Sequence, residues 1–210
     1  MGGATLLPTV RLHRGDLPGG FDPGGSLAID TETLGLNPHR DRLCLVQLSR
    51  GDGTADVVQI GRDGPAPNLV RILGDPAVTK IFHFARFDVA VLFHRFGVMT
   101  NPVYCTKIAS KLVRTYTDRH GLKDLARELL AIDLSKGQQS SDWGAETLSQ
   151  AQLDYAASDV LHLHALRARL DAMLAREGRD DLARASFDYL PVRARLDLGG
   201  WAETDIFAHT

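Results

Sequence analysis

Asp30 and Glu32 in LAIDTETLGL, Asp88 in IFHFARFDVAVLF, and Tyr155 and Asp159 in QLDYAASDVLHLH are the residues of this chain best suited to chemistry. Hard carboxylate oxygens gathered from three distant segments are ligands for Mg²⁺ or Mn²⁺ rather than for zinc. Two such cations about 3.5–4 Å apart stabilise both the attacking and the leaving oxygen of an in-line phosphoryl displacement. A solvated strand end and a solvated helix face are the bland alternative for any one of these segments.

The elements that must carry these residues are legible. AIDTET reads as a strand with a period of two, so Asp30 and Glu32 point to one side and Thr31 and Thr33 to the other. Two like charges side by side on a buried strand are unfavourable unless cations neutralise them. Tyr155 and Asp159 are four residues apart and share one helix face. Ser149 and Gln152 fit a capping box opening that helix, which is expected to run to about Glu177. Asp88 is expected on a helix that ends at Gly97.

LAIDTET, LCLVQLS and ADVVQI read as three strands in an antiparallel meander, TKIFHF as a fourth strand, and NLVRIL as a short helix. VYCTKIASKLVRT is expected to be helical after a short strand, and LKDLARELLAI carries an apolar helical stripe. Strands followed by helices predict an α/β fold, a mixed sheet flanked by helices. Residues 1–25, rich in Gly and Pro, read as an arm and loop, 26–178 as the catalytic unit, and 179–210 as an extension. That extension either wraps its own domain or docks on a neighbouring subunit.

The chain has 210 residues, 44% apolar and 24% charged, with a formal net charge of −2. That suffices for a sizeable core and lacks the basic excess of proteins that grip long polyanions non-specifically. A short ligand held by metal ions and a few directed contacts fits better. Cys44 and Cys105 lie in apolar or helical surroundings without metal-ligand spacing and read as reduced core thiols. There is no signal peptide pattern and no apolar run of membrane-spanning length, so no membrane association and a cytoplasmic location are expected.

The order Asp-x-Glu, Phe-Asp, Tyr-x-x-x-Asp resembles the three exonuclease motifs of the DEDD superfamily, in its tyrosine subgroup, with the ribonuclease D branch as the nearest match. The resemblance runs from about Leu27 to about Arg169. RLHRGDLP, DTETLGLNPHRDRLCLVQLS, CTKIASKLVRTYTDRHGLK, QQSSDW and GWAETDIFAH further resemble nanoRNase C, a family of small bacterial enzymes that degrade very short RNA, dinucleotides above all. Classical ribonuclease D carries helical nucleic-acid-binding domains after its catalytic domain, whereas about 40 residues follow Arg169 here. The resemblance implies a ribonuclease H-like fold, two divalent cations, 3′–5′ hydrolysis to nucleoside 5′-monophosphates, and a homo-oligomer, an octamer in nanoRNase C. General exonuclease action on longer RNA or single-stranded DNA is the alternative, and an inactive RNA-binding scaffold is the reading outside enzymes.

On this basis Asp30, Glu32 and Asp159 are expected to hold the cation that activates water, and Asp30 and Asp88 the one on the leaving oxygen. Tyr155, with an ordinary pKa near 10, is a poor base and is expected to orient the water. Leu36 in DTETLGL is expected to wedge between two bases, with Leu34 as either core or substrate contact, and Thr31 is grouped with the substrate contacts. HFARFD lacks the Asn found before the second-motif Asp in many relatives, which leaves His83 and Arg86 with open roles. Lys107, Lys111 and Arg114 form a basic stripe, either a solvated face or a phosphate grip. Arg119, His120, Lys136, Gln138, Gln139 and Ser140 are candidates to close over a 5′ phosphate and exclude longer chains. Trp143 is either a base-stacking residue or a core anchor.

Overall fold

The computed structural model describes residues 9–134, 137 and 141–209. Six strands form one sheet: β1 (Thr9–Arg14), β2 (Ser26–Thr33), β3 (Leu43–Ser49), β4 (Thr54–Gln59), β5 (Thr79–Phe82) and β6 (Val103–Cys105), in the order β1-β4-β3-β2-β5-β6. β2, β3 and β4 make the expected antiparallel meander. β5 runs parallel to β2, β6 to β5, and β1 to β4. The sheet is therefore mixed, and β3 is buried along its whole length.

β1 departs from the sequence reading, because it lies within the segment expected as arm and loop. Its partner β4 is more than forty residues away, Thr9 pairing with Thr54, so no local signal marks it. His13 Nε2 and Asp56 Oδ1, 2.7 Å apart, tie the two strands.

α1 (Pro67–Gly74), α2 (Ala85–Phe96), α3 (Thr106–Val113) and α4 (Leu122–Leu130) follow the expected segments, and Gly97 ends α2 in a left-handed conformation. The long helix expected from Ser149 is instead two helices, α5 (Gln150–Leu161) and α6 (Leu163–Glu177). The break falls at His162, with φ −106° and ψ −2°. It lets α5 lie across the sheet while α6 buries Leu163, Leu166, Leu170 and Leu174. The expected capping box is present, with Ser149 N–H donating to Gln152 Oε1 at 2.9 Å and Gln152 N–H to Ser149 Oγ at 3.3 Å.

The extension forms α7 (Asp180–Asp188), α8 (Leu190–Leu196) and a turn of π-helix, Asp197–Trp201. It folds back on its own domain. Leu190 and Ala194 are buried, and Arg86 of α2 donates two hydrogen bonds to Asp197, at 2.6 and 2.8 Å, and one to Ala202 O at 2.7 Å. Cys44 and Cys105 are buried free thiols, as expected. Among the described residues no helix is long and apolar enough to cross a membrane.

Candidate active site

The site forms where β2 outruns β5. Their pairing ends at Ala28 with Ile81, so Asp30 to Thr33 pair with β3 alone. The space beside this free stretch is filled by the first turn of α2, which carries Asp88, and by α5, which carries Tyr155 and Asp159. Carboxylate oxygens of Asp30, Glu32 and Asp159 come within 4.8 Å of one another. Asp88 stands at the N-terminal end of α2, where the helix dipole favours a negative charge.

The acids are held in place by neutral donors. Thr31 is buried, and its hydroxyl donates to Asp88 Oδ1 at 2.7 Å. The bond ties β2 to α2 at the position grouped above with the substrate contacts. Gln47 Nε2 lies 3.4 Å from Asp30 Oδ2. Sequence reasoning passed over Gln47, yet it is the one polar residue inside the apolar run LCLVQL, and it faces Asp30 across the antiparallel pair.

Burial raises all four carboxyl pKa values, and repulsion between the acids adds to it at Asp30, Glu32 and Asp88. Asp30 is pushed well above the usual carboxylate range by burial, then by Asp88, Asp159 and Glu32. Glu32 rises to about 8, through burial and then Asp159 and Asp88. Asp88 rises to about 7, chiefly by burial, against the Thr31 hydrogen bond. Asp159 also rises to about 7 by burial. Among the described residues no cationic side chain is a leading cause of these shifts. Four converging acids whose raised pKa values reflect no leading counter-charge among the described residues fit hard divalent cations, which would supply it. The Tyr155 phenol is also pushed up, by burial and then by Asp159, Glu32 and Asp30. It therefore keeps its proton at neutral pH and can donate it in a hydrogen bond.

Trp143 resolves as a core anchor. It is 3% exposed and packs on Tyr155, ring centroids 6.0 Å apart. The loop after the first acids is stiff. Thr33 Oγ1 donates to Gly35 O at 2.5 Å, and Asn37 N–H to Asp41 Oδ2 at 3.0 Å. A Cβ on Gly35 would collide with the Asp41 carboxylate, so that position needs glycine. The loop holds Leu36 at 84% exposure and Leu34 at 51%, so Leu34 is not a core residue.

The remaining candidates separate. His83 Nδ1 is 2.9 Å from Thr106 Oγ1, and burial, with Lys107 nearby, drops its pKa to about 3. It is half-buried and neutral, set among Thr106, Lys107 and His120. Arg114 is fully buried, which removes it from the expected basic stripe. It pairs with Glu128 and donates to Ser110 Oγ at 3.0 Å and to Arg119 O at 2.6 Å. It thus braces the turn bearing Arg119 and His120. Arg119 is exposed, and His120 Nδ1 is 2.9 Å from Ser110 Oγ. Arg86, whose role was open, anchors the extension. Lys136, Gln138, Gln139 and Ser140 lie outside the described residues.

A mixed sheet whose second strand carries Asp-x-Glu, with a further acid from one helix and a Tyr–Asp pair from another, defines a DEDD-type 3′–5′ exonuclease centre of the tyrosine subgroup. A family model described as 3′-5′ exonuclease matches residues 21–175. The ribonuclease D of Granulibacter bethesdensis is 35% identical over 153 residues, covering 73% of this chain and 38% of that protein. The structure of Brucella melitensis NrnC is 64% identical with a TM-score of 0.92, over 96% of this chain and 99% of that one. Structures of the same protein with bound Mg²⁺ and bound to pGG match with TM-scores of 0.90 and 0.92, at 62% and 63% identity, each over at least 96% of this chain and 100% of that one. Escherichia coli RNase D, at 26% identity and a TM-score of 0.72 over 81% of this chain and 45% of that one, carries the same ribonuclease H-like fold. The chain belongs to the 3′–5′ exonuclease family, in its ribonuclease D-like branch and close to nanoRNase C. It spans about two fifths of the length of the curated ribonuclease D relatives that it matches.

Proposed function

We propose that this chain is a metal-dependent 3′–5′ exoribonuclease that hydrolyses very short RNA, dinucleotides preferred, to nucleoside 5′-monophosphates. The observation that carries the reading is the convergence of the Asp30, Glu32 and Asp159 oxygens within 4.8 Å, with Asp88 and Tyr155 contributing to the same electrostatic cluster. The binding of Mg²⁺ and of pGG by the 64%-identical Brucella protein supports the ligand classes.

Asp30, Glu32 and Asp159 would hold one divalent cation, and Asp30 and Asp88 a second, Mg²⁺ or Mn²⁺ by the hardness of the oxygen ligands. When bound, the cations supply Lewis acidity at the attacking water and at the leaving 3′ oxygen. Tyr155, protonated and set beside Asp159, orients the water by hydrogen bond. Leu36 presents an apolar side chain where two bases could part around it. His120 and Arg119, braced by Arg114, are the described candidates for a contact to a terminal phosphate. Hydrolysis of a labelled dinucleotide in Mg²⁺, with a 5′-mononucleotide as product and no reaction in EDTA, tests the reading. Release of the nucleotide from DNA at an equal rate, or activity in EDTA, would contradict it.

A homo-oligomer, with the octamer as the resemblance suggests, belongs to the same reading. The extension folds on its own domain yet leaves Leu182, Val192, Trp201, Ile206 and Phe207 exposed, and exposed large apolar side chains that form a patch mark contact surfaces. The double change Ile206→Asp, Phe207→Asp should lower the mass found by light scattering without lowering the melting temperature of the domain. A full-length protein that already runs near 22.9 kDa would end the idea.

A further inference from the structure

Phe84 breaks three local rules at once. Its φ is 68° and its ψ 45°, a left-handed conformation in which a side chain's Cβ crowds the following carbonyl. It opens α2 as the N-cap, a position that Ser, Thr, Asn or Asp would fill with a side-chain acceptor, and it makes no side-chain cap. The residue is also 45% exposed. Ala131, the other non-glycine residue with positive φ among those described, merely ends α4, an ordinary use of this conformation. A bulky residue held against such preferences points to a constraint other than folding.

The surroundings say what that constraint is. Phe84 lies four residues before Asp88 and is the N-cap of the helix whose first turn carries that acid. Its ring and Leu36 line the same cavity of about 510 Å³, together with His39, Phe87 and Leu198. His39 Nε2 is 3.1 Å from Leu198 O, so the Leu36 loop and the C-terminal extension close one wall together. The Lys107 ammonium stands 4.4 Å from the ring centroid, giving the ring a cation on one face. A largely apolar slot, with an exposed aliphatic side chain on one wall and an exposed aromatic ring on another, suits a flat heteroaromatic ring.

We propose that Phe84 is a specificity-determining residue, its ring a stacking platform for one nucleobase of the substrate, with Leu36 on the opposite wall. The inference rests on the exonuclease reading above. Stacking tolerates every base, so this platform reads the presence of a base rather than its identity.

Equilibrium binding, with Ca²⁺ in place of Mg²⁺ to prevent turnover, tests it in the full chain. The probes are a 5′-phosphorylated dinucleotide and the same molecule with the base removed at one position or the other. Phe84→Gly should weaken dinucleotide binding about tenfold and, for one of the two abasic probes, weaken binding less than twofold, since that base no longer stacks. Phe84→Trp should stay within about threefold of wild type. The melting temperature of Phe84→Gly should equal or exceed that of wild type, because glycine suits this conformation. Equal losses with all three probes, or a glycine variant that loses both stability and binding, would show that Phe84 only packs. A wild-type protein that binds no dinucleotide at all would instead refute the exonuclease reading, a failure visible before any variant is made.

Discussion

Asp30→Asn should reduce hydrolysis by at least about 10³-fold while raising the melting temperature of the metal-free protein. Asn preserves the shape of the side chain and its contact with Gln47, whose amide can be turned to suit. What it removes is a negative charge facing Asp88, Asp159 and Glu32. The sign follows from the raised pKa values. Each acid is held above its ordinary range in the fold, so the fold favours the neutral form. The stability this allows is complete below the ordinary carboxylate range and is lost as pH rises through the folded values, about 7 for Asp88 and Asp159 and about 8 for Glu32. In EDTA the wild-type melting temperature should therefore fall as pH rises from about 5 to about 8, and Asp30→Asn should blunt that fall. Each kcal/mol recovered shifts a chain of this size by about 2–4 °C, so a difference of several degrees at pH 8 is expected. Excess Mg²⁺ should reverse the order, because only the wild type gains the full stabilisation of bound ligand. A variant less stable than wild type in EDTA, or one retaining more than about a tenth of the activity, would remove Asp30 from the metal centre.

Tyr155→Phe should slow turnover by about 10²-fold, the usual loss when a positioned proton-handling group goes. The ring that packs on Trp143 is kept, and the hydroxyl beside Asp159 is lost. KM and metal affinity should change little, because the phenol is not a ligand. An unchanged rate in the Phe variant would reduce Tyr155 to a packing residue.

Much of the site was legible because its determinants are local. Alternation in AIDTET puts Asp30 and Glu32 on one side, and the capping box at Ser149 sets the phase of α5, hence the shared face of Tyr155 and Asp159. The meander followed from three short apolar runs with turn residues between them. What escaped depends on partners far along the chain. β1 exists because β4 offers it an edge. Arg114 looked like part of a solvated stripe because spacing cannot reveal the Glu128 carboxylate that α4 brings to it. The Arg86–Asp197 pair joins residues 111 positions apart, and neither marks the other in sequence. The Thr31–Asp88 hydrogen bond likewise joins residues 57 positions apart, so alternation along β2 named no partner for the hydroxyl.

The central claim is a two-nucleotide site rather than a groove. Enzymes that act on long RNA gain affinity by adding phosphate contacts along a basic surface, which a chain with a net charge of −2 is poorly equipped to do. The most direct measurement is kcat/KM in Mg²⁺ for a 5′-phosphorylated dinucleotide and for a seven-nucleotide RNA of the same 3′ sequence. The expected result is a preference of at least tenfold for the dinucleotide, the scale of one charge-assisted contact of about 1.5–3 kcal/mol made to its terminal phosphate. Equal values for the two substrates would contradict the closed site and leave a general exonuclease.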